Sequence, residues 1–378
     1  MTIKQKTRSL KAVGINIYGG GFTLGVMNHF QVLAQLEEID LGKKTFDMNF
    51  GGVIPRPLDH KEWGTYLDQH KNVPFVYANP PCAPWSSANT HPGKTKESRF
   101  LDKRLSLTRS TYEAALAMNP QVFISESVEN AYNIGKSHYE PYVDMWMKAG
   151  YSVTLFLTDA ILHGAPCQRR RFHLIAHKDE LMLGNCPKID RALTVRDAIW
   201  DLRDDKTFGT IPQHEPQPMH PNIMKLLPYV PPGGVVRRVA MMAPGYPGPG
   251  VGFLVKKFHW DYPSHTMVGF GFAHPDGKRM ITFREAMRMC TYPDHFLAHA
   301  AVEVVDVVLP VVGDFLAGVA KRTIKTARAR KPQFEIIDWR PQGRAFHHGK
   351  LRQEPLKYEV PKGIKFDPLI NRTGAFYE

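Results

Sequence analysis

Apolar positions in the first half of the chain fall in short dense runs, separated by segments of helical period. The runs "AVGINIY" (12–18), "QVLAQLE" (31–37), 73–78, "QVFISE" (121–126), "SVTLFLT" (152–158) and "FHLIAH" (172–177) have the length and texture of buried strands. Between them, apolar residues recur every three or four positions in 22–30, "SLTRSTYEAALAM" (106–118) and "HYEPYVDMWMKA" (138–149), the spacing that gives a helix one buried face. Strand and helix in alternation predict an α/β fold with a parallel, doubly wound, Rossmann-like sheet. Such sheets bind ligands beyond the carboxyl ends of their strands, where Cys82 and Glu126 both fall.

From about 204 to 264 the texture changes to loops rich in Pro and Gly, and then "TFREAMRMC" and 301–320 again read as helices. These shifts divide the chain into a main domain over 1–190, completed by 296–325, a small irregular domain over 191–295, and a basic extension over 326–378.

Composition narrows the partners. With 43% hydrophobic and 22% charged residues the chain reads as soluble and globular. The four cysteines, Cys82, Cys167, Cys186 and Cys290, form no CxxC pair or Cys/His cluster, which argues against a disulfide framework or a metal site and for a reducing interior. The N-terminus shows no apolar signal core, and no apolar run is long enough to span a membrane. A net charge of +13 points to a polyanion, most simply nucleic acid. Ten Lys or Arg lie between Lys321 and Arg352 against only Glu335 and Asp338, and a second cluster, Lys94, Lys96, Arg99, Lys103, Arg104 and Arg109, follows Cys82 closely.

The chemistry-bearing pieces come in a definite order. Gly19, Gly20 and Gly21 sit between the first strand and helix, where a bare backbone can approach a ligand. Glu37 ends the second strand, the place for an acid that accepts ribose hydroxyls. "PPCAPWS" (80–86) holds Cys82 among prolines, a stiff setting that a thiol used only for packing would not need. "FISESVENAY" (123–132), "GAPCQRRRF" (164–172) and "RMITFREAMRMCTYPDHF" (279–296) follow. In this order the chain, over roughly 12–322, resembles the DNA (cytosine-5)-methyltransferases. That family carries a Gly-rich loop, P-P-C-Q-x-x-S, E-N-V, Q-x-R-x-R, a variable recognition region, R-x-L-T-x-R-E-x-x-R and a closing G-N-x-V-P helix. The chain departs from these motifs at Ala83, Ser127 and Cys167, at Asp306-Val307 in place of G-N, and at Asn16, near where the family has an acid.

The resemblance implies a methyltransferase domain with a small target-recognition domain, S-adenosylmethionine as cofactor, and duplex DNA as partner. It implies Cys82 as nucleophile at C6 of a flipped-out cytosine, Glu126 at the ring N3, and Arg169 and Arg171 fixing geometry and charge, with no metal. It places Tyr18, Gly19, Gly20, Gly21, Phe22, Glu37 and Pro80 at the cofactor, and Ser86, Lys94, Lys96, Arg99, Arg104, Arg237 and Arg238 at DNA. Glu129 offers a second E-N pair, but the strand end favours Glu126. Arg284, Glu285 and Arg288 are expected to organise their helix rather than touch a base. The small recognition region implies a short site, about two to four base pairs. A cytoplasmic enzyme of a bacterial or phage-infected cell, monomeric when acting, is the expected setting. RNA as substrate, transfer of another group, or a binding-only relative stay open, and the tail beyond 323 reads equally as a disordered extension or a DNA clamp.

Overall fold

The computed structural model describes residues 3–58, 60–86, 96–243, 255–267, 271–341 and 356–358. Its strands are β1 (Lys11–Ile15), β2 (Gln31–Leu36), β3 (Phe75–Ala78), β4 (Val122–Val128), β5 (Ser152–Asp159), β6 (Arg170–His177), β7 (Lys256–Lys257), β8 (Phe272–Ala273) and β9 (Phe334–Asp338). Seven of them form one sheet in the order β2-β1-β3-β4-β6-β5-β9, and β7 pairs with β8 apart from it.

The six apolar runs of the sequence are β1 to β6, and their alternation supplies two cores. Ala12, Phe75, Tyr77, Val122 and Ile124 face one cluster, with Phe22, Phe46, Phe50 and Leu316 from helices on that side. Val13, Val76, Ala78 and Phe123 face the other, with Trp63, Tyr112 and Trp146. A sheet covered on both faces needs apolar residues at both parities, which is why its strands read as continuous runs.

One part of the expected topology is corrected. The sheet is not wholly parallel, because β6 runs antiparallel to both β4 and β5. Between β5 and β6 the chain makes only a single 3-10 turn, Ala160–His163, too short for the crossover that parallel neighbours require. The helix expected over 301–320 is two helices, Val302–Val305 and Pro310–Thr326, since Pro310 cannot donate to a preceding turn and instead starts the second. The helix expected over 22–30 ends at Val26. Helices Lys43–Phe50 and His60–Gln69, unassigned by periodicity, complete the layers. The extension expected over 326–378 contributes β9, paired in parallel with β5, so this part of the tail is sheet rather than a disordered extension.

The irregular region has a small core of its own, built by Ile223, Leu226, Leu227, Val230, Val236 and Val239 with Val255, Ala273 and Met280. Its flanks join the main body. Val195, Ile199, Ala286 and Met287 belong to the first core, and Gln168 N donates to Ser264 O at 2.9 Å. Arg284 is fully buried and donates to the carbonyls of Pro212, Pro293 and Phe296, tying this region to the returning chain. Among the described residues no helix is long and apolar enough to cross a membrane, and no group of His, Cys, Asp or Glu could hold a metal ion.

Candidate active site

Chain geometry at the carboxyl ends of β3 and β4 brings the chemical residues together. After β3, Asn79 N donates to Ile15 O of β1, which keeps the backbone in line with the sheet as it enters Pro80 and Pro81. Trp85 N and Ser86 N then both donate to Cys82 O, closing a turn that presents Cys82 half-buried at the strand end. Trp85, fully buried against Phe100 and His138, anchors the turn from below.

Glu126 on β4 is buried, and both of its oxygens face fixed groups. Asn79 Nδ2 donates to Oε2 at 2.8 Å, and Arg171 Nε lies 2.7 Å from Oε1. Arg171 reaches Glu126 because β6 runs antiparallel beside β4, the pairing that sets Val128 opposite Arg171. Arg169, two residues earlier, turns the other way. Its guanidinium donates to Val305 O at 2.5 Å and Val307 O at 2.8 Å, and its amide donates to Asp159 Oδ1. Arg169 therefore pins the segment before Pro310 against the site, and Glu126 takes its ion pair from Arg171 alone among the described residues. Glu129 lies apart, with Arg340 Nη1 at 2.6 Å from its carboxylate.

The electrostatics of Cys82 follow from this arrangement. Burial pushes the thiol up to about 11, and the charges of Glu126 and Asp306 push in the same direction, while Arg171 and Arg169 pull it down. Asp306, which in sequence is only a departure from the closing motif, is thus a second acid whose charge raises the Cys82 thiol; its own pKa is raised by loss of hydration and lowered by Arg169 and Arg171. Asn79 is likewise missing from the sequence reading. Its one signal is a polar residue directly following four buried strand positions.

The glycine loop is held by Glu37. This carboxylate is fully buried, and its Oε1 accepts from Ile17 N and Tyr18 N at 2.9 Å and from Gln35 Nε2 at 2.7 Å. Its Oε2 and the buried Tyr18 hydroxyl have no hydrogen-bond partner among the described residues. Burial raises Glu37 to about 7, opposed chiefly by Arg56. Gly20, at φ 92°, needs glycine twice over, because a Cβ there would also strike the Phe50 ring, and a Cβ on Gly19 would lie 2.7 Å from Glu303 O. Phe22 and Pro80 are buried beside this loop's strands. An unpartnered acceptor and an aromatic hydroxyl at a glycine turn fit an adenosyl cofactor's ribose and base, so the donor set suits S-adenosylmethionine. The loop itself is covered by Phe50 and by the chain around Glu303, which Thr45 Oγ1 holds by a hydrogen bond. Binding there requires that cover to move.

The basic candidates divide. Arg99 Nη1 donates to Pro84 O at 2.7 Å and Ser86 O at 3.2 Å, so its guanidinium serves the Cys82 turn. Arg104 is bidentate to Asp102. Arg237 and Arg238 are exposed on helix Val236–Met242, alongside Met241 and Met242. Lys94 lies outside the described residues, and Lys96 starts the helix Lys96–Phe100. Arg284, Glu285 and Arg288 organise the helix Phe283–Met289: Thr282 and Glu285 form a capping box, and Arg288 pairs with Asp201 and Asp294.

Comparison with known proteins places the sequence in a family. M.PspPI, a type II methyltransferase of Psychrobacter, is 28% identical over 261 residues, 61% of this chain and 61% of its own. M.Eco47II, a type II methyltransferase of Escherichia coli, is 27% identical over 310 residues, 74% of this chain and 69% of its own. The chain thus spans just over three fifths of the first of these relatives. In fold it is similar to an E. coli prophage-encoded protein assigned as a DNA modification methyltransferase, with a TM-score of 0.63 at 18% identity, covering 84% of this chain and 100% of that one. The S. pombe Dnmt2 methyltransferase shares the fold with a TM-score of 0.55 at 12% identity, over 83% of this chain and 99% of its own. The family profile of the C-5 cytosine-specific DNA methylases matches residues 15–308, most of the sequence and all of the site just described, and the chain belongs to that family.

Proposed function

We propose that the protein transfers a methyl group from S-adenosylmethionine to C5 of a cytosine flipped out of a short duplex DNA site, through a covalent adduct with Cys82. The observation that carries this reading is Cys82 at the end of β3, beside a Glu126 held by Asn79 and Arg171. Cytosine C6 is out of reach inside a stacked duplex, so the base must leave the stack, at a cost of a few kcal/mol.

Cytosine C5 is a weak nucleophile until something adds at C6. The Cys82 thiolate forms the S–C6 bond, the C5=C6 electron pair moves toward N3, and Glu126 meets that charge at N3 with a proton or hydrogen bond. Arg171 holds Glu126 in place and contributes positive charge as the ring becomes anionic. Arg169 acts one layer further out, fixing the backbone at Val305 and Val307 that bounds the site. Bound at the glycine loop by Tyr18, Gly19–Gly21, Glu37 and Pro80, the cofactor would supply an electrophilic methyl group for C5. Loss of the C5 proton then restores the C5=C6 bond and expels the Cys82 thiolate.

The experiment is nucleoside mass spectrometry of duplex DNA incubated with the protein and S-adenosylmethionine. The expected product is 5-methyldeoxycytidine, absent with Cys82→Ser and slowed by orders of magnitude with Glu126→Gln, while Glu129→Gln acts near the wild-type rate. Turnover by Cys82→Ser removes Cys82 as nucleophile. Methylation of RNA cytosine alone, or of no substrate, overturns the DNA reading.

A further inference from the structure

Glu126 is only 2% exposed, so protons reach its carboxylate through the protein. Its Oε2 accepts from Asn79. Its Oε1 is left for a second neighbour, because Arg171 Nε, although 2.7 Å away, does not aim its proton along that line. A small cavity lies against this carboxylate. Glu126, Thr158, Arg169 and Arg171 form its polar side, and Leu309 and Val312 are on its apolar side. Cys82 is not part of its wall, so it is not the place a reacting base would occupy.

The sheet brings these groups together. Arg171 on β6 stands directly opposite Thr158 on β5, and Glu126 lies on β4, the other neighbour of β6. The space open to a water's centre is about 10 Å³, enough for one molecule. A water there meets the two to four polar partners that hold a buried water. Glu126 Oε1 accepts, the Arg169 Nε, which is buried without a hydrogen bond among the described residues, donates, and the Thr158 hydroxyl does either.

Thr158 also leads outward. Its hydroxyl is buried, and His163 Nε2 lies 2.8 Å from it. His163 ends the turn Ala160–His163 and is half-buried, its ring set against Phe315 at 4.2 Å between centroids. Burial lowers the imidazole to about 4, so near neutral pH it is uncharged, with one ring nitrogen protonated and the other free. That form can take a proton on one side and give one on the other.

We propose that His163, Thr158 and one water in this cavity form a proton relay that joins Glu126 to solvent by a route that does not pass Cys82. It rests on the proposed function, which gives Glu126 its work at N3. Solvent protonates His163 at Nδ1, and Nε2 passes its proton to Thr158 Oγ1. The Thr158 hydroxyl passes its own proton to the water, and the water passes one to the Glu126 carboxylate. Each group gives one proton as it receives one, so the net change is one proton from solvent to Glu126, with His163 left as its other tautomer. The reverse passage, when Glu126 ionises again, resets the ring.

Thr158→Val keeps the branched shape and removes the hydroxyl, whereas Thr158→Ser keeps the hydroxyl. In single-turnover methylation of a mixed-sequence duplex at saturating S-adenosylmethionine, Thr158→Val should be about tenfold slower with unchanged affinity for DNA, and Thr158→Ser within about twofold of wild type. His163→Ala should be slowed similarly and recover as imidazole is added to the buffer, a response that a packing role would not give. Thr158→Val at the wild-type rate, equal slowing by Val and Ser, or no recovery with imidazole overturns the relay. A crystal structure of the wild-type protein at a resolution that shows waters separates this from the proposed function. An ordered water bridging Glu126 and Thr158 supports the relay site and a dry cavity overturns it, even if the wild type methylates no DNA and the proposed reaction itself fails.

Discussion

Cys82 meets opposing demands. In the proposed reaction, attack on C6 needs a thiolate, yet burial and the charges of Glu126 and Asp306 push the thiol up to about 11, against an ordinary 9.0. That upward shift leaves much less thiolate near pH 8 than an unperturbed cysteine would carry. A protonated resting thiol is protected from adventitious oxidation. Alkylation by iodoacetamide, followed at the Cys82 peptide by mass spectrometry, should therefore keep accelerating with pH well beyond 9. Glu126→Gln should move the profile to lower pH, and Asp306→Asn should do so by less, following the order of their effects on the thiol. A profile that levels off at the ordinary thiol value, or that ignores Glu126→Gln, would show that the two acids do not control the nucleophile.

At the scale of elements, Arg99 illustrates what sequence can and cannot reveal. Its place in a basic cluster after Cys82 marks it as a DNA contact, but its guanidinium lies on Pro84 O and Ser86 O, while Phe100 beside it packs against Trp85. We expect Arg99 to position the Cys82 turn, so Arg99→Ala should lower kcat about tenfold or more, with little change in the KM for DNA. The dependence of DNA binding on salt separates the roles: a lost phosphate contact reduces the slope of log K against log salt by about 0.9, whereas a lost turn support leaves it unchanged. A reduced slope with unchanged kcat would return Arg99 to the DNA surface. The strands were legible because β1 to β6 are apolar at both parities, and Cys82 and Glu126 because their residue types are conspicuous at strand ends. The direction of β6 was not, since it is set by the short connection after Asp159 rather than by the pattern of β6 itself. β9 was hidden by its half-exposed side chains, and Asp306 and Asn79 because only long-range packing brings them to the site.

At the scale of the whole molecule, the proposed function requires the main sheet and the small irregular region to keep one alignment, so that a base leaving the duplex reaches Cys82. Arg284 is the buried tie, one guanidinium shared by Pro212 O in the small domain's approach and by Pro293 O and Phe296 O on the returning chain. Arg279 reinforces it through a bidentate pair with Glu285 on the same helix. A guanidinium suits three carbonyls at once, because its donors are held in one rigid planar fork. Arg284→Met keeps much of the side-chain length and removes every donor. Leaving buried carbonyls unpaired costs about 1–3 kcal/mol each, partly relieved by entering water, so a loss of at least about 3 kcal/mol is expected in urea unfolding. The more telling expectation concerns cooperativity. With the tie removed, fluorescence of the Trp200 and Trp260 pair near the small domain should change at lower urea than circular dichroism of the sheet, splitting one transition into two. A single coincident transition at the wild-type midpoint would mean that apolar packing of Ala286 and Met287 suffices to hold the two parts in register without Arg284.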